Sequence, residues 1–291
     1  MLPKLSAFVG LLRPAQWVKN SFVCAGVVFG AQLHNPHALR AMGLAFMAFC
    51  LMGSGVYVMN DYVDREADRL HPTKRRRPLA SGAVRAGQGL TIGALCVCLS
   101  LAAAWFSDVR VLEVVLIYLA INIAYSLSLK HQAVTDVFCI ASGFMLRILA
   151  GTWAIRIAPS GWLLLTGMFI TLFLGFAKRR AEWSDSTGGH RRRPVLNVYS
   201  LELLDTFLSI TATGTVLSYG LYTLDPKTIE LHHTDKLIYT LPFVLFGLFR
   251  YLFLLHRHRK GENPSADVFT DHQIVLCALA YCAASLWLLN R

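Results

Sequence analysis

Apolar residues run along this chain in blocks about as long as a bilayer is thick, separated by short polar stretches. The blocks fall at about 21–33, 39–60, 88–107, 111–128, 134–156, 160–178, 204–224, 237–255 and 271–289. A helix rises 1.5 Å per residue and a hydrocarbon core is about 30 Å thick, so blocks of this length read as membrane spans. The first is short and borrows length from residues 16–20. Before it, residues 1–20 set Leu2, Leu5, Phe8, Leu11, Leu12 and Trp17 against Lys4, Arg13, Gln16 and Lys19, an amphipathic lead-in expected at the membrane surface. The pattern therefore predicts an all-α polytopic membrane protein. It has a lead-in at 1–20 and a domain at 21–291, whose nine transmembrane helices surround a central cavity open to the cytoplasm.

Composition supports this: 55% of residues are hydrophobic and 15% charged, where soluble domains carry about 25% charged residues. A net charge of +11 raises nucleic acid as a partner, but the basic residues are gathered in short loops between apolar blocks. There they report topology, so no nucleic acid is expected. Of the 28 Lys and Arg, 20 lie in the lead-in and alternate loops and six on the opposite side. That imbalance predicts a cell-membrane protein with its N-terminus and charged loops in the cytoplasm and its C-terminus outside. The Arg191–Arg193 run belongs at least partly to this signal. The N-terminus has no clean signal-peptide core. The seven cysteines form no CxxC pair and no zinc-type spacing with histidine. His232 and His233, predicted outside, and His256 and His258, in a basic cytoplasmic turn, make no metal site, and no P-loop or GxGxxG is present.

The chemistry concentrates in Asn60–Gly82, NDYVDREADRLHPTKRRRPLASG. On a helix Asn60, Asp64 and Asp68 fall at 0, about 40 and about 80 degrees, and Asp61 at about 100 degrees. All four share one face at a span's end. Acids there repel one another unless a cation joins them. Hard oxygens suit Mg2+, and the Lys74–Arg77 run beside them suits phosphate. The bland reading is a solvated helix end on which acids and bases pair along the surface.

Other charged positions admit two readings each. Lys178 and Glu182 in AKRRAEW are spaced for a simple ion pair, or Lys178 and Arg179 face the cavity mouth as phosphate ligands. Tyr125, Ser126 and Lys130 end the fourth apolar block and are candidates to line the same mouth. Arg147 lies about 20 Å into the fifth block. A charge at that depth needs an acid or a bound phosphate as partner. Lys19, with Arg13, Gln16 and Trp17, is either an interfacial anchor or a phosphate ligand.

These motifs, over nearly the whole chain, resemble the UbiA superfamily of intramembrane prenyltransferases, whose NDxxDxxxD motif binds magnesium and a diphosphate. RPAQWVKN at Arg13–Asn20, HPTKRRRP at His71–Pro78, YSLSLKHQAVTDV at Tyr125–Val137, LRILAG at Leu146–Gly151 and AKRRAEW at Ala177–Trp183 are similar to its decaprenyl-phosphate phosphoribosyltransferase branch. The resemblance implies Mg2+ at Asn60, Asp64 and Asp68, with Asp61 as a further candidate. It implies phosphoribosyl diphosphate as donor, a polyprenyl phosphate as acceptor and a place in cell-wall arabinan synthesis. Asp64, Asp68 and Lys178 would then act in catalysis, and Lys19, Lys74, Arg75, Arg77, Tyr125, Lys130, Arg147, Lys178 and Arg179 would bind substrate. Aromatic prenyltransferases of the superfamily carry a DxxxD after the sixth span; here that position reads KRRAEWSD. A basic second site suits a sugar phosphate or lipid phosphate better than a second magnesium. Two other readings remain: a prenyltransferase joining a prenyl diphosphate to a small acceptor, and a transporter or flippase for an anionic lipid. A homo-oligomer is left open.

Overall fold

A computed structural model describes residues 5–30, 32–72, 74–185, 194–257 and 271–289; Leu2, Lys4, the Arg191–Arg193 run and His258 lie outside them. Among the described residues every regular element is helical. The helices are α1 (Leu5–Leu12), α2 (Ala25–Phe29), α3 (Pro36–Val63), α4 (Arg65–Arg69), α5 (Ala86–Ser107), α6 (Val109–Leu127) and α7 (Thr135–Ala154). They continue with α8 (Gly161–Asp185), α9 (Leu201–Leu224), α10 (Pro226–His232), α11 (Leu241–Arg257) and α12 (His272–Leu289). Among the described residues, seven helical segments, α3 and α5 to α8, Lys236–His256 with most of α11, and α12, are long and apolar enough to cross a membrane. The block at 204–224 is the long helix α9, diluted by Thr206, Ser209, Thr211, Thr215 and Ser218, whose hydroxyls donate back to carbonyls one turn earlier. The block at 21–33 takes another form.

There, Pro14–Cys24 winds as a 3₁₀ helix that runs on into α2. Runs longer than about 3–4 residues are uncommon for this winding. With three residues per turn, side chains stack in columns. Ala15, Val18 and Ser21 are exposed; Asn20 and Val23 are buried, with half-buried Trp17 in their column; Gln16, Lys19 and Phe22 are half-buried. Trp17 Nε1 donates to Ser54 Oγ on α3 at 3.1 Å, and Ser54 Oγ donates to the Leu12 carbonyl at 2.8 Å. The expected break between a surface lead-in and the domain at residue 20 thus falls inside one continuous helix. Leu11 of α1 is fully buried with Val58, Leu79 and Val84.

The chain divides into two units, Met1–Leu127 with Leu146–Pro159, and Ser128–Met145 with Ser160–Arg291. Helix α7 contributes to both. In the first unit, α3 begins where Asn35 accepts from the N–H groups of His37 and Ala38 with Pro36 at the first turn. Its core joins Phe49, Met52, Val56, Val111, Val115 and Ala150. In the second unit, Val137, Phe173, Phe176, Leu204, Leu208 and Tyr251 form the core.

One contact in the first unit is tight enough to be decisive. A Cβ added at Gly151 of α7 would lie 1.9 Å from the Val23 carbonyl oxygen, and one at Gly26 would lie 2.5 Å from the Gly151 carbonyl. Two backbones meet here with nothing flexible to yield. Gly151→Ala is expected to destabilise the protein by at least about 1–3 kcal/mol, read as a lower melting temperature in detergent. An unchanged melting temperature would mean the two segments can separate at no cost.

Candidate active site

Helix α3 ends at Val63, Asp64 sits outside helical geometry at φ −85°, ψ 2°, and α4 resumes at Arg65. The hydrogen-bond ladder nevertheless crosses the break: Asp64 N–H donates to the Asn60 carbonyl at 2.9 Å and Asp68 N–H to the Asp64 carbonyl at 2.8 Å. Asn60, Asp64 and Asp68 therefore follow one another at one-turn intervals, as their phase predicts. Ser126 of α6 donates to Asn60 Oδ1 at 2.6 Å and fixes the amide, oxygen first. Among the described residues no group of three or more His, Cys, Asp or Glu is placed to hold a metal alone. Magnesium does not need such a cage. It is held by one or two carboxylates and completes its shell with water and substrate phosphates. Two carboxylates and an amide oxygen beside a basic run fit that pattern.

Asp61, a further metal candidate from the sequence, is engaged elsewhere. Its side chain is 3% exposed, Arg13 Nη2 donates to its two oxygens at 2.6 and 2.8 Å, and Arg77 Nη1 donates to Oδ1 at 3.1 Å. A quarter-turn from Asn60, it points among guanidinium groups, which is where a metal would be repelled. Arg77 Nη1 also donates to Asp68 Oδ2 at 2.6 Å, so one guanidinium bridges Asp61 and Asp68. Arg13, which the sequence leaves as an interfacial anchor or a phosphate ligand, is paired with Asp61 here. It adopts left-handed backbone angles (φ 52°, ψ 57°) directly before Pro14, and its guanidinium lies 5.0 Å over the Tyr57 ring. Such a conformation costs about 1–3 kcal/mol in a non-glycine residue, and the bidentate ion pair opposes that cost. The Arg-Pro step was the only sequence signal for it.

Farther along the same unit, Arg147 of α7 is 7% exposed. Its Nε donates to Asn20 Oδ1 at 2.7 Å, its Nη2 to Tyr118 Oη at 3.2 Å, and its guanidinium lies 5.3 and 5.0 Å from the Phe49 and Tyr118 ring centres. The Gly26–Gly151 contact holds together the two segments that carry Asn20 and Arg147. Lys19 is the neighbour of Asn20.

The family described as "UbiA prenyltransferase family" matches residues 21–272, which include Asn60, Asp64 and Asp68. The chain belongs to the UbiA prenyltransferase family. It is 37% identical over 290 residues to the decaprenyl-phosphate phosphoribosyltransferase of Mycolicibacterium smegmatis, covering 95% of this chain and 90% of that protein. It is 36% identical over 280 residues to the protein of the same name from Corynebacterium glutamicum, covering 93% and 82%. In fold it is similar to a UbiA homolog from Archaeoglobus fulgidus bound to GPP and Mg2+, with a TM-score of 0.73 at 20% identity over 98% of this chain and 100% of that one.

The second unit of this UbiA chain reorganises the other expected ligands. Arg179 is 1% exposed; its Nε donates to Asp136 Oδ2 and its Nη1 to Glu182 Oε2, both at 2.6 Å. Tyr199 Oη donates to Asp136 Oδ1 at 3.3 Å and accepts from Val134 N–H at 2.5 Å. Val134 has φ 66°, strained for a β-branched residue, so this network fixes a turn that would otherwise relax. Burial, with the Asp136 carboxylate adding to it, pushes the Tyr199 phenol up to about 12. Arg179, expected as a phosphate ligand at a mouth, is here the hub of a buried network with Asp136 and Glu182. Glu182, spaced to pair with Lys178, accepts from Arg179. Lys178 and Lys130 are half-buried. In the first unit, Lys74 and Tyr125 are half-buried and Arg75 is exposed.

Proposed function

We propose that this UbiA family member is a membrane-embedded, Mg2+-dependent pentosyltransferase that moves 5-phosphoribose from phosphoribosyl diphosphate to a polyprenyl phosphate and releases pyrophosphate. One observation carries the reading. The oxygen column Asn60, Asp64 and Asp68, with Arg77 beside it, lies in a chain 37% identical over nearly its whole length to a protein named for that reaction.

The residues divide the work by charge. Asn60, Asp64 and Asp68 would hold Mg2+, which when bound offsets the charge of a departing diphosphate. Lys74, Arg75 and Arg77 supply further positive charge to the phosphate oxygens, and Asp61 keeps Arg77 oriented. The acceptor phosphate is an anion at neutral pH, so its oxygen attacks the anomeric carbon with no proton to remove. That bond forms as the bond from the anomeric carbon to the diphosphate oxygen breaks. What the protein must supply is alignment of two anions that repel each other. By the distribution of basic loops, the N-terminus and the ligand column face the cytoplasm and the C-terminus lies outside.

A second reading has one observation in its favour: the A. fulgidus homolog is bound to GPP. The basic KRRAEWSD in place of a second aspartate motif argues against it. One assay decides. Purified protein with Mg2+, labelled phosphoribosyl diphosphate and decaprenyl phosphate should yield labelled lipid and an equal amount of pyrophosphate. Transfer from a prenyl diphosphate to a small acceptor, with phosphoribosyl diphosphate untouched, would replace the reading with the second.

A further inference from the structure

Among the described residues four non-glycine positions take a left-handed backbone, Arg13, Val134, Arg156 and His233, and only Val134 is β-branched. A branched side chain clashes with the backbone at φ 66°, so valine is a poor choice there on local grounds. Packing does not offset the cost, because Val134 is 37% exposed. What holds the conformation is polar. The Val134 N–H donates to Tyr199 Oη at 2.5 Å, and the same phenol donates its proton to Asp136 Oδ1 at 3.3 Å. Backbone strain of this kind gathers where a segment is held in one place for function.

The hold on Tyr199 comes from α8. Arg179 Nε donates to Asp136 Oδ2 at 2.6 Å. Trp183, four residues on and so on the same face of α8, donates from Nε1 to the Tyr199 carbonyl at 3.0 Å. Asp136 is fully buried, and so is nearly all of Tyr199. A buried ion pair gains little over a packed apolar pair of the same volume. What this one does is fix the direction of the phenol.

The phenol stands between two turns of the second unit. On one side, His131 N–H donates to the Ser128 carbonyl, Gln132 N–H to the Leu129 carbonyl and Asp136 N–H to the Gln132 carbonyl, each at 3.1 Å. Lys130 belongs to that short turn, and Val134 decides the direction in which the turn enters α7. On the other side, Lys178 directly precedes Arg179. Tyr199 thus ties the turn that carries Lys130 to the turn of α8 that carries Lys178. Phosphoribosyl transfer gives both lysines a substrate phosphate to meet, and leaves Tyr199 and Val134 without a role.

We propose that Tyr199 is a positioning residue of the transfer reaction: its hydroxyl, oriented by Asp136, keeps Val134 left-handed and so sets Lys130 for a substrate phosphate. The proposal rests on the phosphoribosyl-transfer reading. The phosphate belongs to the donor or to the lipid, and the two KM values tell them apart.

The test uses the full-length protein in detergent carrying Tyr199→Phe, Lys130→Gln, both together, or Tyr199→Phe with Val134→Gly. On each, kcat, the KM for phosphoribosyl diphosphate, the KM for decaprenyl phosphate and hydrogen exchange across residues 129–135 are measured. Tyr199→Phe removes one oxygen and keeps the ring in its core cluster with Val195 and Leu196. It is expected to speed exchange across the turn and to raise one KM by about tenfold, with kcat within about threefold of wild type. Lys130→Gln should raise the same KM, and the double variant should be little worse than Lys130→Gln alone, because both act on one contact. Val134→Gly should recover most of the Tyr199→Phe loss, since glycine takes the left-handed conformation without a clamp. A role in packing alone would show no such rescue. Losses that multiply in the double variant would mean that the phenol meets substrate itself, and would overturn the proposal. So would unchanged exchange, KM values equal to wild type, a rise in the other KM, or no recovery with Val134→Gly. Any of these with an active wild type removes only the positioning role, whereas a wild type that makes no labelled lipid removes the reading and the role together.

Discussion

Asp64→Asn is expected to cut turnover by at least about 10²-fold while the protein still inserts in the membrane. The substitution keeps the shape of the side chain and removes one negative oxygen from the column that follows Asn60 through the helix break. Asp68→Asn should lose as much turnover and also some stability, because Asp68 is buried and Arg77 donates to it at 2.6 Å. The difference between the two variants is the informative part. Mn2+ titrations followed by electron paramagnetic resonance should show weakened binding in both, and the melting curve of Asp68→Asn should shift down as its contact with Arg77 weakens. Wild-type turnover in either purified variant would remove that residue from the site.

That contrast was partly legible in the sequence. Helical phase alone aligned Asn60, Asp64 and Asp68, because the four-residue spacing survives even where the helix breaks at Asp64. The membrane spans were legible for a related reason: an apolar block of span length has few alternatives. What phase does not reveal is which way a side chain turns once several charges compete. In Lys178-Arg179-Arg180, Arg179 turns to Asp136, over forty positions away in sequence, and Arg180 to Asp205. Asp61 shares the ligand face by angle, yet is drawn to Arg13 from the other end of its unit. The winding of Pro14–Cys24 was hidden for another reason. Its apolar residues satisfy a helical reading, and only packing against Ser54 and the Gly26–Gly151 contact separates three residues per turn from 3.6. Arg147 was recognised as costly by its depth, but its neutral partners Asn20 and Tyr118 carry no charge signal to find.

Asp61→Asn is the variant on which the division of labour in NDxxDxxxD turns. As an anchor, Asp61 holds Arg13 against the left-handed strain at Arg13-Pro14 and holds Arg77 beside Asp68. Breaking a buried pair costs about 3–5 kcal/mol, and because Arg13 and Arg77 are 25% and 28% exposed the lower end applies here. The expected result is therefore a lower melting temperature, a raised KM for phosphoribosyl diphosphate through misplaced Arg77, and Mn2+ affinity within about twofold of wild type. A metal ligand would behave in the opposite way, with Mn2+ affinity lost and the melting temperature kept. A double-mutant cycle with Arg13→Gln adds a second check. If the two side chains act only through each other, the second substitution should add little to the first. Additive losses would mean that Arg13 has a contact of its own with substrate, and the anchor would have to be sought in Arg77 alone.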